Sequence, residues 1–365
     1  MLPDDLTPDH PLRDLRRNID SVDDQIVQLL RRRAELAHEV RAAKQGSGLP
    51  VYSPSRELDI IASLTDERLG DFPVDGARAA FREIISACRA LEELPRVAYL
   101  GPPGTFADIA ARSRWGECAT YLPYDGFARI FDGLYSGEAT FAMVPIENST
   151  AGTIREVVDL IAAGGQFTII GESYVDVHHC LLSHAGLEAI REVWSRDTAL
   201  EQCRGWLRAN LPLARLVPVS STALGAERAA VDHSVAAIGT ELASAVYGVP
   251  LRARNIEDRK DNRTRFFALG RYMPQPTGRD KTSILMGVEH RPGALVTALQ
   301  VLRAHDMNMT LIESRPSRTA PFEYDFFIDF EGHCRETLVA AGINALREVC
   351  LQVHVLGSYP RAAGA

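Results

Sequence analysis

At 365 residues with an apolar fraction of 46%, the chain is too long for one ordinary core and apolar enough to fill two or three. Its formal charge of -8 offers no basic face to neutralise phosphates, which argues against nucleic acid as a partner. No window holds the roughly eighteen apolar residues that cross a bilayer, the start Met1, Leu2, Pro3, Asp4, Asp5 is acidic, and Cys88, Cys118, Cys180, Cys203, Cys334 and Cys350 show no CxxC spacing. A cytosolic protein is expected, with no membrane contact, zinc site or disulfide framework.

From Leu12 to about Glu93 the pattern is helical. Leu12, Leu15, Ile19, Val22, Ile26, Leu29, Leu30, Leu36, Ala37 and Val40 keep a three-four spacing, with no proline or glycine until Gly46. One helix of roughly 50 Å is predicted, longer than two shorter helices can cover, so a partner chain should bury the rest in an interlocked dimer. Two helices should follow, at about 55–69 and 75–92. Arg16, Arg33 and Lys44 interrupt or flank the apolar seam, and Arg56 and Glu57 open the next helix. Such cations either pair with neighbours such as Glu35 and Glu39 on a solvated face or await a bound carboxylate.

After the short linker Leu94, Pro95, Arg96 the periodicity changes to alternating strands and helices. Strands are predicted at 97–100, 120–123, 141–146, 167–182, near Val193, and at 216–219, 235–238 and 266–269; the long one at 167–182 reads as a crossover between two lobes. The turn Gly101, Pro102, Pro103, Gly104 leads into a helix near Thr105 and either presents free N–H groups to an anion or simply reverses the chain. Asn148, Ser149 and Thr150, and Ser221 with Thr222, sit at strand ends, where α/β folds place ligands and where helix caps also occur. Cys180 follows His178 and His179 on a strand, so His179 and Cys180 point to opposite faces. The densest polar run, Asp258 to Arg265, passes directly into Phe266, Phe267, Ala268, Leu269, which sets Thr264 and Arg265 at the mouth of a buried strand. Beyond the linker 274–278 comes a strand-helix-strand-strand-helix-strand order: 282–289, 293–305, 309–315, 324–330, 336–346 and 350–356.

The first segment resembles the helical chorismate mutase family through Leu15, Arg16, Ile19, Asp23, Leu29, Leu30, Arg33, Glu35, Leu36, Ala37, Lys44, Pro50, Val51, Arg56 and Glu57. The resemblance implies that Arg16, reaching into the partner's site, Arg33 and Lys44 clamp the carboxylates and ether oxygen of chorismate, with Arg56 and Glu57 positioning it. Ser53 stands at a contact position where some members carry Asp, and Glu92 where some carry Gln. A carboxylate donates a hydrogen bond only when protonated, so mutase activity is expected to rise toward acid pH.

Residues 96 to about 271 resemble the prephenate dehydratase family through Gly101–Phe106, Pro145–Gly152, His179–Leu182, Ser221–Thr222 and, most specifically, Asn262, Arg263, Thr264, Arg265, Phe266. By resemblance the Thr264 hydroxyl assists loss of the ring hydroxyl, and Thr105, Asn148, Ser149, Thr150, His179, Ser221, Thr222, Arg265 and Phe266 line or support the prephenate pocket. The last segment resembles the ACT ligand-sensing domain, whose phenylalanine-binding elements would be Gly293, Ala294, Leu295, Val296 and Glu313, Ser314, Arg315, Pro316. The expected architecture is therefore multidomain: an all-α mutase and dimerisation domain (1–94), a two-lobed α/β dehydratase domain like a periplasmic binding protein (95–273), and an α+β ACT domain (280–360). It would be a homo-oligomer, at least a dimer, acting on chorismate and prephenate, needing no metal or cofactor and inhibited by phenylalanine. Two competing readings are a dehydratase whose mutase part has decayed through Ser53 and Glu92, and a non-catalytic amino-acid sensor. The seam cations and Thr264 with Arg265 speak against the sensor, since a scaffold gains nothing from them.

Overall fold

The structure, a computed structural model, describes residues 11–44, 52–316 and 324–362; Pro50 and Val51 of the mutase resemblance lie outside them. The chain divides into two compact units, Met1–Tyr52 with Ile60–Leu94, and Ser53–Asp59 with Pro95–Ala365.

The first unit is helical. Helix α1 (Pro11–Lys44) runs unbroken for 34 residues and packs on α4 (Val74–Glu92), burying Ala37, Ala77 and Ile85. The helix expected over 55–69 is two, α2 (Pro54–Ala62) and α3 (Asp66–Leu69). Between them the Ser63 hydroxyl donates to the Ile60 carbonyl (2.8 Å), and Thr65 takes an extended conformation as the cap of α3. Serine and threonine compete for backbone bonds in this way and end helices. Much of the stripe on α1 stays open in the single chain: Leu15, Ile19, Val22 and Leu29 are each more than half exposed.

The second unit holds three sheets. Strands β1 (Arg96–Leu100), β2 (Thr120–Tyr124), β3 (Phe141–Asn148), β4 (Gly152–Thr153) and β5 (Thr168–Asp176) are interleaved with helices α5 (Phe106–Trp115), α6 (Phe127–Ser136) and α7 (Arg155–Ala162). The second lobe has β6 (Cys180–Ser183), β7 (Glu192–Ser195), α8 (Asp197–Gln202), α9 (Arg204–Asn210), β8 (Arg215–Pro218), α10 (Thr222–Val231), β9 (Val235–Gly239), α11 (Glu241–Tyr247) and β10 (Leu251–Ala253). The chain then returns to the first lobe as β11 (Arg263–Gly270). Its remaining elements are β12 (Asp280–Gly287), α12 (Ala294–Ala304), β13 (Met309–Pro316), β14 (Tyr324–Glu331), α13 (Thr337–Val349) and β15 (Gln352–Pro360).

The first sheet has the order β2-β1-β3-β11-β5 with β4 beside β3, the second β10-β6-β9-β7-β8, the third β13-β14-β12-β15. Strand β11 thus lies in the middle of the first sheet although it comes last, antiparallel to both neighbours. A strand that closes its sheet from both sides is fully paired, which makes it a rigid support for the residues at its entry.

The single strand expected over 167–182 is two strands in two sheets. Val177 to His179 between them belong to neither, because the returning chain takes their polar groups: Val177 N–H donates to the Asn262 carbonyl (2.8 Å), and Ile256 N–H to the His179 carbonyl (2.9 Å). The lobes also meet at the 101–104 turn. Gly104 has φ +83°, and a Cβ there would lie 2.9 Å from the Ala243 Cα, so only glycine fits. The third sheet meets the first at Gly357, where a Cβ would collide with the Ile169 carbonyl oxygen. Phe327 and Tyr359 complete the apolar core beneath Phe267 and Leu269.

Candidate active sites

Thr264 is the second residue of β11, paired with Asn148 at the end of β3, and is buried with 8% of its surface exposed. The two side chains touch: Asn148 Nδ2 donates to Thr264 Oγ1 (2.9 Å) and to Asn262 Oδ1 (2.9 Å). The amide orientation is fixed from the other side, where Asn148 Oδ1 accepts from the backbone N–H groups of Thr150 (3.1 Å) and Ala151 (3.0 Å) and from the Thr150 hydroxyl (2.7 Å). Only the amide nitrogen is left to face Thr264. Because Thr264 Oγ1 accepts from that nitrogen, its own proton is left to donate outward. Asn262 Oδ1 also lies 2.8 Å from Thr150 Oγ1, whose one proton it shares with Asn148 Oδ1, and accepts from Ser149 Oγ (3.3 Å), so Asn148, Ser149, Thr150, Asn262 and Thr264 form one network where the two crossing segments meet. Asn262 belongs to the polar run before β11, and its place two residues before Thr264 is the sequence feature that marks it for this network.

Arg265 is expected to line or support this pocket, and it does not share the face of Thr264. It points to the opposite face of β11 from Thr264, as strand alternation requires, and it is 4% exposed. Its guanidinium is held by Glu172 Oε2 (2.7 Å) and Asp329 Oδ2 (2.6 Å) and donates to the Tyr359 hydroxyl (3.2 Å). Phe266 is buried on the strand beside Thr264.

Thr105 and Ser221 are helix caps. Thr105 Oγ1 donates to the Leu100 carbonyl (3.1 Å) and accepts from Asp108 N–H, and Ser221 Oγ accepts from Leu224 N–H (3.0 Å). Thr222 is buried behind it. The 101–104 turn does not offer its N–H groups to an anion: Gly101 N–H donates to the Tyr124 carbonyl and Gly104 N–H to Asp108 (both 2.8 Å).

His179 is 2% exposed, edge-on to Phe106 with ring centroids 5.6 Å apart. Its Nε2 lies 2.8 Å from Gln202 Oε1, which makes Nε2 the protonated nitrogen. The carboxylate of Glu257 accepts from His179 backbone N–H (2.8 Å) and lies 2.9 Å from His178 Nδ1, tying the outgoing segment to the returning one. Burial lowers the His179 pKa below its ordinary value, only partly offset by Gln202. A base whose folded pKa is depressed stabilises the fold fully above its unfolded pKa of about 6.5 and loses that contribution as pH falls toward the folded value. His333, also lowered by burial, acts with the same sign. His179→Gln should therefore reduce, without abolishing, the fall in thermal midpoint between about pH 7.5 and pH 5.5; equal falls in variant and parent would refute this.

In the helical unit Arg33 is half-buried and Nη1 donates to the Ile84 carbonyl (3.3 Å), while Lys44 Nζ pairs with Glu92 Oε2 (2.9 Å). The last turn of α1 and the end of α4 thus bring Lys44 and Glu92 together. Arg16 is exposed on α1. Ser53, Arg56 and Glu57 fall in the other compact unit.

In the third sheet's layer, Val288 to Val296 with Tyr324 and Phe326 line a cavity of about 410 Å³, so Gly293, Ala294, Leu295 and Val296 share one concave wall. Glu313 and Arg315 turn elsewhere. Glu313 Oε2 accepts from Thr153 Oγ1 (3.1 Å), and Arg315 donates to the Arg155 carbonyl (2.6 Å) and pairs with Asp159. Ser314 and Pro316 lie on the same strand, β13, and none of these four residues lines the cavity.

Two family models match the chain: chorismate mutase type II over residues 15–93 and prephenate dehydratase over 97–274. A solved prephenate dehydratase from Arthrobacter aurescens, in complex with L-Phe, is 36% identical with a TM-score of 0.68, covering 73% of this chain and 90% of that one. A quorum-quenching acylase, GqqA, superimposes equally well (TM-score 0.68, 31% identity, 73% and 98% covered), so the fold alone does not decide the chemistry. A bifunctional chorismate mutase/prephenate dehydratase from Aquifex aeolicus is 40% identical over 356 residues, 96% of this chain and 98% of that protein. The chain belongs to the bifunctional chorismate mutase/prephenate dehydratase family. It carries both activities: rearrangement of chorismate to prephenate, and conversion of prephenate to phenylpyruvate with loss of water and carbon dioxide. In the dehydratase half, departure of carbon dioxide supplies the electron pair that aromatises the ring, so the protein has only to assist the leaving hydroxyl. In the mutase half the rearrangement is unimolecular, and holding the compact conformer with positive charge at the breaking ether bond suffices.

Proposed function

We propose that Thr264, through the outward O–H left by its bond from Asn148, donates a hydrogen bond to the leaving hydroxyl of prephenate and so assists its departure. Ser149, Thr150 and Asn262 hold that pair in place. The 2.9 Å contact between Asn148 and Thr264 carries this reading. Asn148→Asp, which replaces the donating nitrogen by an accepting oxygen, should lower dehydratase kcat by about 10²-fold and leave the mutase rate unchanged; unchanged kcat would remove Asn148 from the site.

For the mutase, Arg33 and Lys44 bind chorismate's carboxylates and ether oxygen, Glu92 donates to the ether oxygen when protonated, Arg16 serves the partner's site, and Ser53, Arg56 and Glu57 contact the substrate. The open stripe on α1 supports a dimer, because apolar faces of this extent are covered in soluble proteins. Glu92→Gln, which donates at every pH, should flatten a mutase profile that rises toward acid in the parent. A parent profile that is flat, or falls on acidification, contradicts the role of Glu92.

The modules run over 1–94, 95–273 and 280–360, the last an ACT domain that binds phenylalanine through Gly293 to Val296, which line the cavity, and Glu313 to Pro316 at the contact between two such domains. Feedback inhibition follows from that binding, in a cytosolic enzyme. Phenylalanine suppressing phenylpyruvate formation from prephenate, with Gly293→Val abolishing the suppression, is the expected result; suppression that survives this substitution would place the effector elsewhere.

A further inference from the structure

Between the first and third sheets lies a charged cluster shielded from water. Glu172 (β5), Arg265 (β11), Lys281 and Ser283 (β12), Asp329 (β14) and Tyr359 (β15) are all 4% exposed or less. The charges balance, two cations against two carboxylates, and each carboxylate oxygen has a donor. Glu172 Oε2 takes Arg265 Nε (2.8 Å) and Nη2 (2.7 Å) and Lys281 Nζ (3.1 Å), and Glu172 Oε1 takes the Ala362 N–H (3.1 Å). Asp329 Oδ2 takes Arg265 Nη1 and Oδ1 takes the Ser283 hydroxyl, both at 2.6 Å. The Tyr359 hydroxyl bridges Ser283 (2.8 Å) and Arg265 (3.2 Å).

Buried ion clusters bring little net stability, since desolvation offsets their attraction, and apolar side chains of the same size would hold two sheets together as well. What this one supplies is a fixed geometry, and it fixes the residue next to Thr264. The other half of the catalytic pair is held from the same side: Glu313 and Arg315 of β13 grip Thr153, Arg155 and Asp159, the segment that continues from Asn148 to Thr150.

We propose that Arg265 is a positioning residue for dehydration: through Asp329 and Glu172 it lets the C-terminal sheet set the place of Thr264 relative to Asn148. A guanidinium fork clamped at both ends transmits a shift of β14 to β11 with little slack. A displacement of about 1 Å at a reacting group can cost about 10²-fold in rate, and a smaller one correspondingly less.

The test is made on the full chain. Asp329→Asn, far in sequence from the catalytic pair, should lower dehydratase kcat by about tenfold with KM for prephenate within about twofold and the mutase rate unchanged. Arg265→Lys, which keeps the charge and loses the fork, should fall with it. Ser283→Ala, a milder change that frees Asp329 Oδ1, should move kcat by about threefold in the same direction should Asp329→Asn not fold. In a Thr264→Ala background Asp329→Asn should have no further effect, because it acts through Thr264. A cluster that only joins the sheets would lower the thermal midpoint and leave kcat of the folded enzyme untouched; unchanged kcat in the folded variants overturns the proposal. The effector arm alone rests on the phenylalanine reading above: the activity left in Asp329→Asn should no longer respond to phenylalanine, although calorimetry still detects its binding. Should phenylalanine not bind the parent chain, that reading fails, and kcat alone decides the positioning role.

Discussion

Thr264→Ala is expected to lower conversion of prephenate to phenylpyruvate by roughly 10²–10⁴-fold, the span that a positioned proton donor contributes. Chorismate turnover by the same preparation should not change, because Arg33, Lys44 and Glu92 lie in a separate compact unit. The effect is assigned to the hydroxyl and not to packing: Thr264 is buried at the head of a strand paired on both sides, and alanine keeps the backbone ladder. Thr264→Ser, which restores the hydroxyl without the methyl group, should recover most of the lost kcat. Thr264→Val keeps the shape and lacks the hydroxyl, so it should be as inactive as the alanine variant. Stopped assays with prephenate, read against the mutase rate as an internal control of folding, check all three. An alanine variant with more than about a tenth of parental dehydratase activity would remove Thr264 from the chemistry.

Arg33→Ala should have the mirror-image effect: a loss of about 10²–10³-fold in mutase kcat/KM, with dehydration of supplied prephenate unaffected. The guanidinium stands half-buried on α1 with one N–H on the Ile84 carbonyl, which directs it without neutralising it. A charge in such a place is costly to keep unless an anion completes it, which is the part proposed for the carboxylates of chorismate. Lys44→Ala should lose activity as well, and it also strips Glu92 of its 2.9 Å partner, so the two residues need a double-mutant cycle to separate their contributions. Arg33→Lys keeps charge but not the planar fork and should restore only a minor part of the rate. Mutase activity that survives Arg33→Ala within threefold would favour a different anchoring cation.

The readable parts of this chain were those written in local pattern. The stripe on α1, the polar run that feeds β11, and the alternation of β12 to β15 are set by side chains close in sequence, and the elements form where the periodicity placed them. The unreadable parts depend on partners far along the chain. Glu172 and Asp329 are acids in largely apolar strands that carry other acids as well, and their partner Arg265 lies 93 and 64 residues away. Nothing local distinguishes them from solvent-facing positions. The break at Val177 to His179 is equally non-local, since Asn262 and Glu257 impose it from the returning segment. Arg265 is the instructive case. Its neighbour Thr264 belongs to the Asn148 network, and the family resemblance has Arg265 lining or supporting the same pocket, yet strand alternation alone already sets adjacent residues on opposite faces.

Chorismate supplied as the sole substrate to the purified chain, with prephenate and phenylpyruvate followed over time, is the most direct test of two working sites in one polypeptide. The account predicts that chorismate falls, prephenate passes through a transient, and phenylpyruvate accumulates, with Thr264→Ala stopping the sequence at prephenate. A chain that consumes supplied prephenate but leaves chorismate untouched would contradict it, and would reduce the helical unit to a scaffold.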